Sequence, residues 1–395
     1  MLFGTALAWS LFQLWIASPL PFMVGFGVFN STEARSIHLA FAIFLAFTSY
    51  PAFARSPRDH IPLADWVMAV VGALAAAYLY IFYQSISNRV GAPITQDYAA
   101  AVIGMLLLLE AARRSLGPAL AIVASVFLVY TFFGPYMPAI IAHKGNSLGE
   151  VVNHHWITTS GVFGIALGVS TSFVFLFVLF GALLDKGGAG NYFIKVAFSL
   201  MGHMRGGPAK AAVVSSAMTG LISGSSIANV VTTGTFTIPL MKKVGFSSEK
   251  AGAVEVASSV NGQIMPPVMG AAAFLMVEYV GIPYFDVVKH AFLPATISYI
   301  ALVYIVHLEA LKAGMEGLPR AYEPPPLLRR LIGLAFGVVV VCAVSFGVYY
   351  GLGWLRPAFG PSANWIIAIG LLVVYVALIA FAARFPELEP DDPND

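Results

Sequence analysis

Charge is what this chain lacks most. Only 10% of its 395 residues are Asp, Glu, Lys or Arg, where a soluble domain carries about 25%. Together with 59% hydrophobic residues and a mean hydropathy of +0.83, this excludes a soluble globular protein and marks an integral membrane protein. Short alternating runs, the mark of barrel strands, are also missing. The apolar stretches are long and continuous, so the expected fold class is all-α, a polytopic helical membrane protein. A net charge of +2, thinly scattered, excludes nucleic acid as a partner and leaves the lipid bilayer as the surroundings. The single cysteine, Cys342, can build neither a disulfide framework nor a metal site, and reads as a small buried apolar residue. No charged segment precedes the first hydrophobic run and no clear cleavage site follows it, so a signal peptide is not expected.

What is present is a series of apolar segments. Crossings are expected at 8–29, 37–54, 66–84, 98–112, 118–134, 162–184, 290–308, 331–350 and 365–383. A crossing needs about 20 residues, so 98–112 is short. Residues 191–205 mix Lys195, His203 and Arg205 with apolar residues and read as an interfacial helix. The pattern changes between 190 and 285.

The distribution of Lys and Arg tests a topology. Let both termini be cytoplasmic, let 208–239 enter and leave on one side, and let 251–280 cross once. Most of the 21 Lys and Arg then lie inside, and only Arg35, Arg89, Lys144, Lys289 and Arg356 lie outside. If 208–239 were a full crossing, the imbalance would largely vanish. Charge therefore favours a re-entrant hairpin.

The stretch SGSSIANVVTTGT, 223–235, has no charge and is about half hydroxyl and amide residues. Non-helical backbone at membrane depth survives only where it lines a polar cavity or is covered by protein. Two half-length helices meeting at Ser223–Ser226 would expose carbonyls from the first and N–H groups from the second. Carbonyls and hydroxyls suit a hard cation, and a helix N-terminus suits an anion. A second break follows in ASSVNGQIMPPVMGAA, which interrupts the crossing at 251–280. Pro266 and Pro267 remove two backbone donors, and Asn261, Gly262 and Gln263 set amides beside them. A discontinuous helix paired with a hairpin is the sequence pointer to a secondary transporter's site.

GSSIANVVTTGTFTIPLMKKVGF, followed by AGAVEVASSVNGQIMPPVMGAAAFLM, resembles the large membrane subunit of TRAP transporters, most closely the fused permeases of the TAXI-type branch. The resemblance runs from about 160 to 310. Residues 1–134, ending near EAARRSLGP at 110–118, resemble more loosely the small four-helix subunit plus a joining helix. The implied organisation is therefore 1–134, then a first repeat at 135–310, then a connector, two scaffold-like helices and an acidic tail at 311–395.

The resemblance implies an elevator-type, sodium-driven importer of small organic acids in the bacterial inner membrane, fed by a periplasmic solute-binding protein, with Na⁺ as coupling ion and no organic cofactor. The cation positions it implies are Ser223, Gly224, Ser225, Ser226, Asn229, Asn261 and Gly262. Gln263, Thr232, Thr233, Pro266 and Pro267 are the candidate substrate contacts, and Thr235 is a weaker one. The family's large subunit has two inverted repeats, each with a hairpin and a broken helix, and this sequence holds one. A fragment of a longer polypeptide is expected, or a second half on another chain. A membrane scaffold that binds a partner without transporting is the alternative.

Other residues attract attention less. Glu255 could carry a proton or orient the cation site, although Lys250 nearby suggests an interfacial position. Glu110 is expected to pair with Arg113, and Glu278 to reach the outer interface. His154 and His155 are adjacent on a helix and do not face one ligand. The run FVFLFVLF at 173–180 reads as lipid-facing or packing surface. No nucleophile–base pair converges, so an enzyme is not expected.

Overall fold

The computed structural model describes residues 2–53, 55–89, 91–316 and 327–363, with scattered positions up to 380. Among the described residues there are helices and no strands. The chain forms two compact units, Met1–Pro319 and Arg320–Asp395. Counting helices of ten residues or more, the first unit contains α1 (Leu2–Ala17), α2 (Ser31–Ser49), α3 (Leu63–Ile81), α4 (Thr95–Leu116), α5 (Pro118–Phe133) and α6 (Phe175–Lys186). It continues with α7 (Ala189–Met201), α8 (Gly207–Ser223), α9 (Ser226–Lys243), α10 (Ser248–Asn261), α11 (Ala271–Val280) and α12 (Tyr284–Lys312). The second unit contains α13 (Leu327–Phe359). Among the described residues, four helices are long and apolar enough to cross a membrane: Leu63–Ile81, Pro118–Tyr136, Ile165–Leu184 and Tyr284–Lys312.

The first part of the unit is a bundle of α2, α3 and α4. Its core joins Leu39, Ile43, Phe47, Ala69, Ala76 and Leu79 to Trp156 and Phe163. Small residues let the helices approach, as is usual in membrane bundles. A Cβ on Gly72 would lie 2.6 Å from Ile43, and one on Gly104 would lie 2.1 Å from the Trp156 ring. Trp156 in turn donates to the Ala75 carbonyl at 3.1 Å. The helix α2 starts at a capping box, with Asn30 and Glu33 exchanging side-chain and backbone bonds at 2.9 Å.

The structure differs from the expected crossings where polar side chains or prolines intervene. The run 8–29 is not one helix. It breaks between α1 and the short helix Leu20–Val24, because Pro19 and Pro21 supply no N–H to continue the ladder. Conversely, α4 is longer than the short span 98–112, since its charges find partners. Asp97 accepts from Tyr78 at 2.6 Å, Arg89 at 2.6 Å and the Ile94 N–H at 2.8 Å. The expected Glu110–Arg113 pair is present at 2.7 Å. Glu110 also binds Arg114, which reaches Asp65 on α3 at 2.8 Å. Cys342, expected to be buried, is exposed on α13. The expected crossing 331–350 lies within α13, and most of 365–383 lies outside the described residues.

The second part of the unit is built on α8, α9 and α10, each packed on the other two, with α12 against α8 and α10. Its core gathers Ala209, Val213, Met241, Phe246, Val306 and Ala310. The phenylalanines at 173–180 divide between packing and exposed surface, with Phe180 half exposed. Phe173 stacks on Phe274 of α11 and Tyr284 of α12, and Phe177 meets the same two rings at a tilt.

Candidate functional site

α8 and α9 form the hairpin. They are 17 and 18 residues long, about 26 Å at 1.5 Å per residue and short of a roughly 30 Å hydrocarbon core. Both outer ends lie together. A Cβ on Gly206, before α8, would lie 2.5 Å from Ala310, and Phe246, after α9, belongs to the same buried cluster as Ala310. The chain thus enters and leaves the hairpin at one end of the bundle. At that end Lys210 is almost fully buried, its ammonium 3.0 Å from His307 Nδ1.

The tip is tight. α8 stops at Gly224, which takes a left-handed φ of +57° that other residues avoid. Ser225 then caps α9, its hydroxyl accepting from the Ala228 N–H at 3.3 Å. A Cβ on Gly224 would lie 1.8 Å from the Met269 carbonyl oxygen. The tip therefore rests directly on the backbone of the broken crossing.

That crossing stops at Asn261. A single 3₁₀ turn, Gly262–Ile264, follows, and then the Pro266–Pro267 pair, joined by a cis peptide bond. The Gly270 N–H closes the excursion by donating to the Gln263 carbonyl at 2.7 Å, and α11 begins. Two consecutive prolines leave carbonyls without a helical partner. Tyr284 covers two of them, donating to Pro267 and, at 2.8 Å, to Val268.

Hairpin and break meet through small residues and amides. A Cβ on Gly220 would lie 2.7 Å from Gly262 Cα, so the two backbones touch. Gln263 Nε2 donates to Ser226 Oγ at 2.7 Å. Deeper in, five side chains close a ring. Asn229 Nδ2 donates to Ser216 Oγ at 2.9 Å, and Ser216 faces Ser259 at 3.3 Å. Ser259 reaches Glu255 Oε1 at 3.4 Å, Thr233 donates to the same oxygen, and Thr233 lies 3.5 Å from Asn229 Oδ1. Thr237 adds a bond of 2.5 Å to Glu255 Oε2, and Tyr299 of α12 donates to the Ser258 carbonyl at 2.8 Å.

The structure brings most of the sequence candidates to this junction. Ser223, Gly224, Ser225 and Ser226 form the tip, and Asn229 and Gly262 are buried against each other behind it. Asn261 and Thr232 are half-buried, while Gln263 and Pro267 are exposed and Pro266 is buried. Thr235 is exposed and bonds back to the Thr232 carbonyl at 3.2 Å. Thr233 is buried against Glu255. Glu255 is not interfacial: it is 0% exposed and sits among hydroxyls from α9 and α10. Lys250, which suggested the interface, pairs instead with Glu309 at 2.6 Å. Ser216, Thr237, Ser259 and Tyr299 were not singled out in the sequence. For Thr237 and Ser259 the signal was spacing: Asn229, Thr233 and Thr237 fall at i, i+4 and i+8, and Glu255 and Ser259 at i and i+4, so each set shares one helix face; Ser216 and Tyr299 carried no such signal.

The junction is rich in carbonyls, hydroxyls and amides, and no Lys or Arg bonds to any of the ring or tip side chains among the described residues. That donor set is suited to a small hard cation. The sequence pattern of the family described as tripartite ATP-independent periplasmic transporter, DctM component, matches residues 103–384. The chain belongs to this family. The matched region contains the hairpin, the break and the ring. Among curated relatives it is 29% identical over 210 residues to the C4-dicarboxylate TRAP transporter large permease protein DctM of Rhodobacter capsulatus, covering 50% of this chain and 47% of that one. It is 28% identical over 176 residues to the uncharacterized protein y4mL of Sinorhizobium fredii, covering 44% and 42%. It is 23% identical over 198 residues to the sialic acid TRAP transporter permease protein SiaT of Haemophilus influenzae, covering 50% and 31%. The chain spans less than half the length of these relatives. It is a membrane component of the TRAP permease family.

Proposed function

We propose that this chain supplies one hairpin and one broken helix to a sodium-coupled secondary transporter that imports small organic acids delivered by a periplasmic solute-binding protein. The observation that carries the reading is the seating of the hairpin tip on the broken crossing, Gly224 against Met269 and Ser226 against Gln263. Two helix interruptions that meet at one polar junction offer unpaired carbonyls and hydroxyls to a cation. Na⁺ is assigned to Ser223, Gly224, Ser225, Ser226, Asn229, Asn261 and Gly262. The substrate carboxylate is assigned to the same junction, near the exposed Gln263 and Pro267 and the half-buried Thr232, with the buried Thr233 and Pro266 behind them. With no basic side chain there, the anion would depend on helix N-termini, hydroxyls and the bound cation. The relatives named for C4-dicarboxylates and sialic acid support an acidic substrate. Inward movement of each net positive charge draws about 2.3 kcal/mol per 100 mV, which couples uptake to the membrane potential. In the elevator reading, hairpin and broken helix travel together against a scaffold, and a second such unit completes the site.

The test is thermal unfolding of the purified chain in sodium against choline chloride. A ligand that binds only the folded state stabilises it in proportion to the logarithm of its concentration. Sodium should raise the midpoint, and Ser226→Ala combined with Gln263→Ala should shrink the rise. Equal midpoints in the two salts would sink the sodium assignment.

A further inference from the structure

Glu255 is a fully buried carboxylate with no cationic partner among the described residues. An unpaired charge in such surroundings is costly, and an ionisable group at this depth is retained for a use. Its immediate neighbours are three hydroxyls: Thr233 and Ser259 at Oε1, and Thr237 at Oε2.

The other ionisable groups on the elements around it are engaged elsewhere or lie at helix ends. On α8, Lys210 binds His307 of α12. Tyr299 of α12 donates to the Ser258 carbonyl. Lys242 and Lys243 end α9. Glu249 and Lys250 begin α10, and Lys250 pairs with Glu309. Asp286, Lys289 and His290 lie at the start of α12, and Lys312 at its end. None of these contacts Glu255.

The hydroxyls have two sets of acceptors. Thr237 Oγ1 lies 2.5 Å from Glu255 Oε2 and 2.9 Å from the Thr233 carbonyl. Thr233 Oγ1 contacts Glu255 Oε1 and lies 2.8 Å from the Asn229 carbonyl. With the carboxylate ionised, Thr233, Thr237 and Ser259 donate to it, which stabilises the charge. With the carboxyl protonated, Thr237 turns its hydrogen to the Thr233 carbonyl and accepts the Glu255 O–H on its lone pair. Both states satisfy every oxygen, and the exchange needs only a hydroxyl rotation. A hard cation fits this cage less well, since oxygens already in hydrogen-bond contact leave no room for an ion between them.

We propose that Glu255 is a proton-binding site of the hairpin, whose heavy-atom cage accommodates the protonated and the ionised carboxyl alike. The proton is then a second cation carried by the hairpin and break, separate from any at the tip. The proposal does not depend on sodium binding.

Infrared difference spectra of the full chain in detergent, taken through a pH titration, test it. Besides the bands of exposed carboxyls, which every variant shares, the wild type should gain on acidification a carboxylic-acid carbonyl band at the higher frequency of a buried group, and lose it on return. Glu255→Gln, which mimics the protonated group, should lack that band. Thr237→Val removes one donor to the charged form and should move the midpoint up by about one pH unit, roughly the loss of one hydrogen bond to a carboxylate. Thr237→Ser should titrate as the wild type does. Persistence of that buried-group band in Glu255→Gln overturns the proposal, as does the absence of any titrating buried carboxyl while the helical circular dichroism is intact. If Glu255→Gln does not fold, identical midpoints for Thr237→Val and Thr237→Ser overturn it instead. Sodium-dependent melting measured on the same samples is read separately, so either reading can fail without the other.

Discussion

Single residues at the tip have little freedom. Gly224 combines a left-handed backbone with a carbonyl neighbour 1.8 Å from where a Cβ would stand. An L-residue in that conformation costs about 1–2 kcal/mol before any clash. The Met269 oxygen belongs to backbone, so it cannot simply rotate out of the way. Gly224→Ala should therefore destabilise the chain by more than that strain alone, and the midpoint of detergent unfolding should fall. The control is Gly252→Ala, where a Cβ would meet nothing within 4 Å in mid-helix. Alanine at 252 should raise stability slightly, by up to about 1 kcal/mol. Equal losses at both glycines would mean that the tip does not rest on Met269. Glycine at 224 stood out from the sequence because it lay in a polar run in an apolar chain. Glu255 did not reveal its position, because only Lys250 and its own helix were visible in order along the chain. The hydroxyls that enclose it come largely from α9, some twenty residues away in sequence.

At the scale of elements, the hairpin and the broken helix form one polar assembly embedded in apolar helices. Their existence was legible because two kinds of interruption, Ser-Gly-Ser-Ser and Asn-Gly-Gln followed by Pro-Pro, stood out against long hydrophobic runs. Their pairing was not, since nothing local records which backbones touch. The bond from Gln263 to Ser226 at 2.7 Å gives a direct check. With Cys342→Ser as background, Ser226→Cys and Gln263→Cys together should cross-link readily under mild oxidation. Ser226→Cys paired with Glu278→Cys, on the exposed face of α11, should not. Efficient cross-linking of the second pair, or none in the first, would contradict the junction. The other elements show the same division. The α2–α4 bundle was evident from its apolar runs, but the reach of α4 was underestimated. Asp97, just outside the expected 98–112, is neutralised by Arg89, and Glu110 is held by Arg114 as well as by the expected Arg113.

At the scale of the whole molecule, the question is which side each end faces. The distribution of Lys and Arg favoured a hairpin that returns to its own side, and the shared cluster around Ala310 places both hairpin ends together. In cells expressing the Cys342→Ser background, Arg205→Cys and Lys243→Cys should share the same accessibility to an impermeant maleimide. Ile282→Cys, in the turn between α11 and α12, should have the opposite one. Labelling of 205 and 243 from opposite sides would turn the hairpin into a crossing and undo the topology. Within this arrangement the contact of Gly220 with Gly262 has a mechanical meaning. Where two backbones touch, no side chain lies between them to flex, so a push on the tip reaches α10 without slack. The hairpin cannot open away from the break as a separate flap unless that seam parts. Any displacement of the tip therefore carries the welded pair as a single stiff body, with the give located at its outer joints.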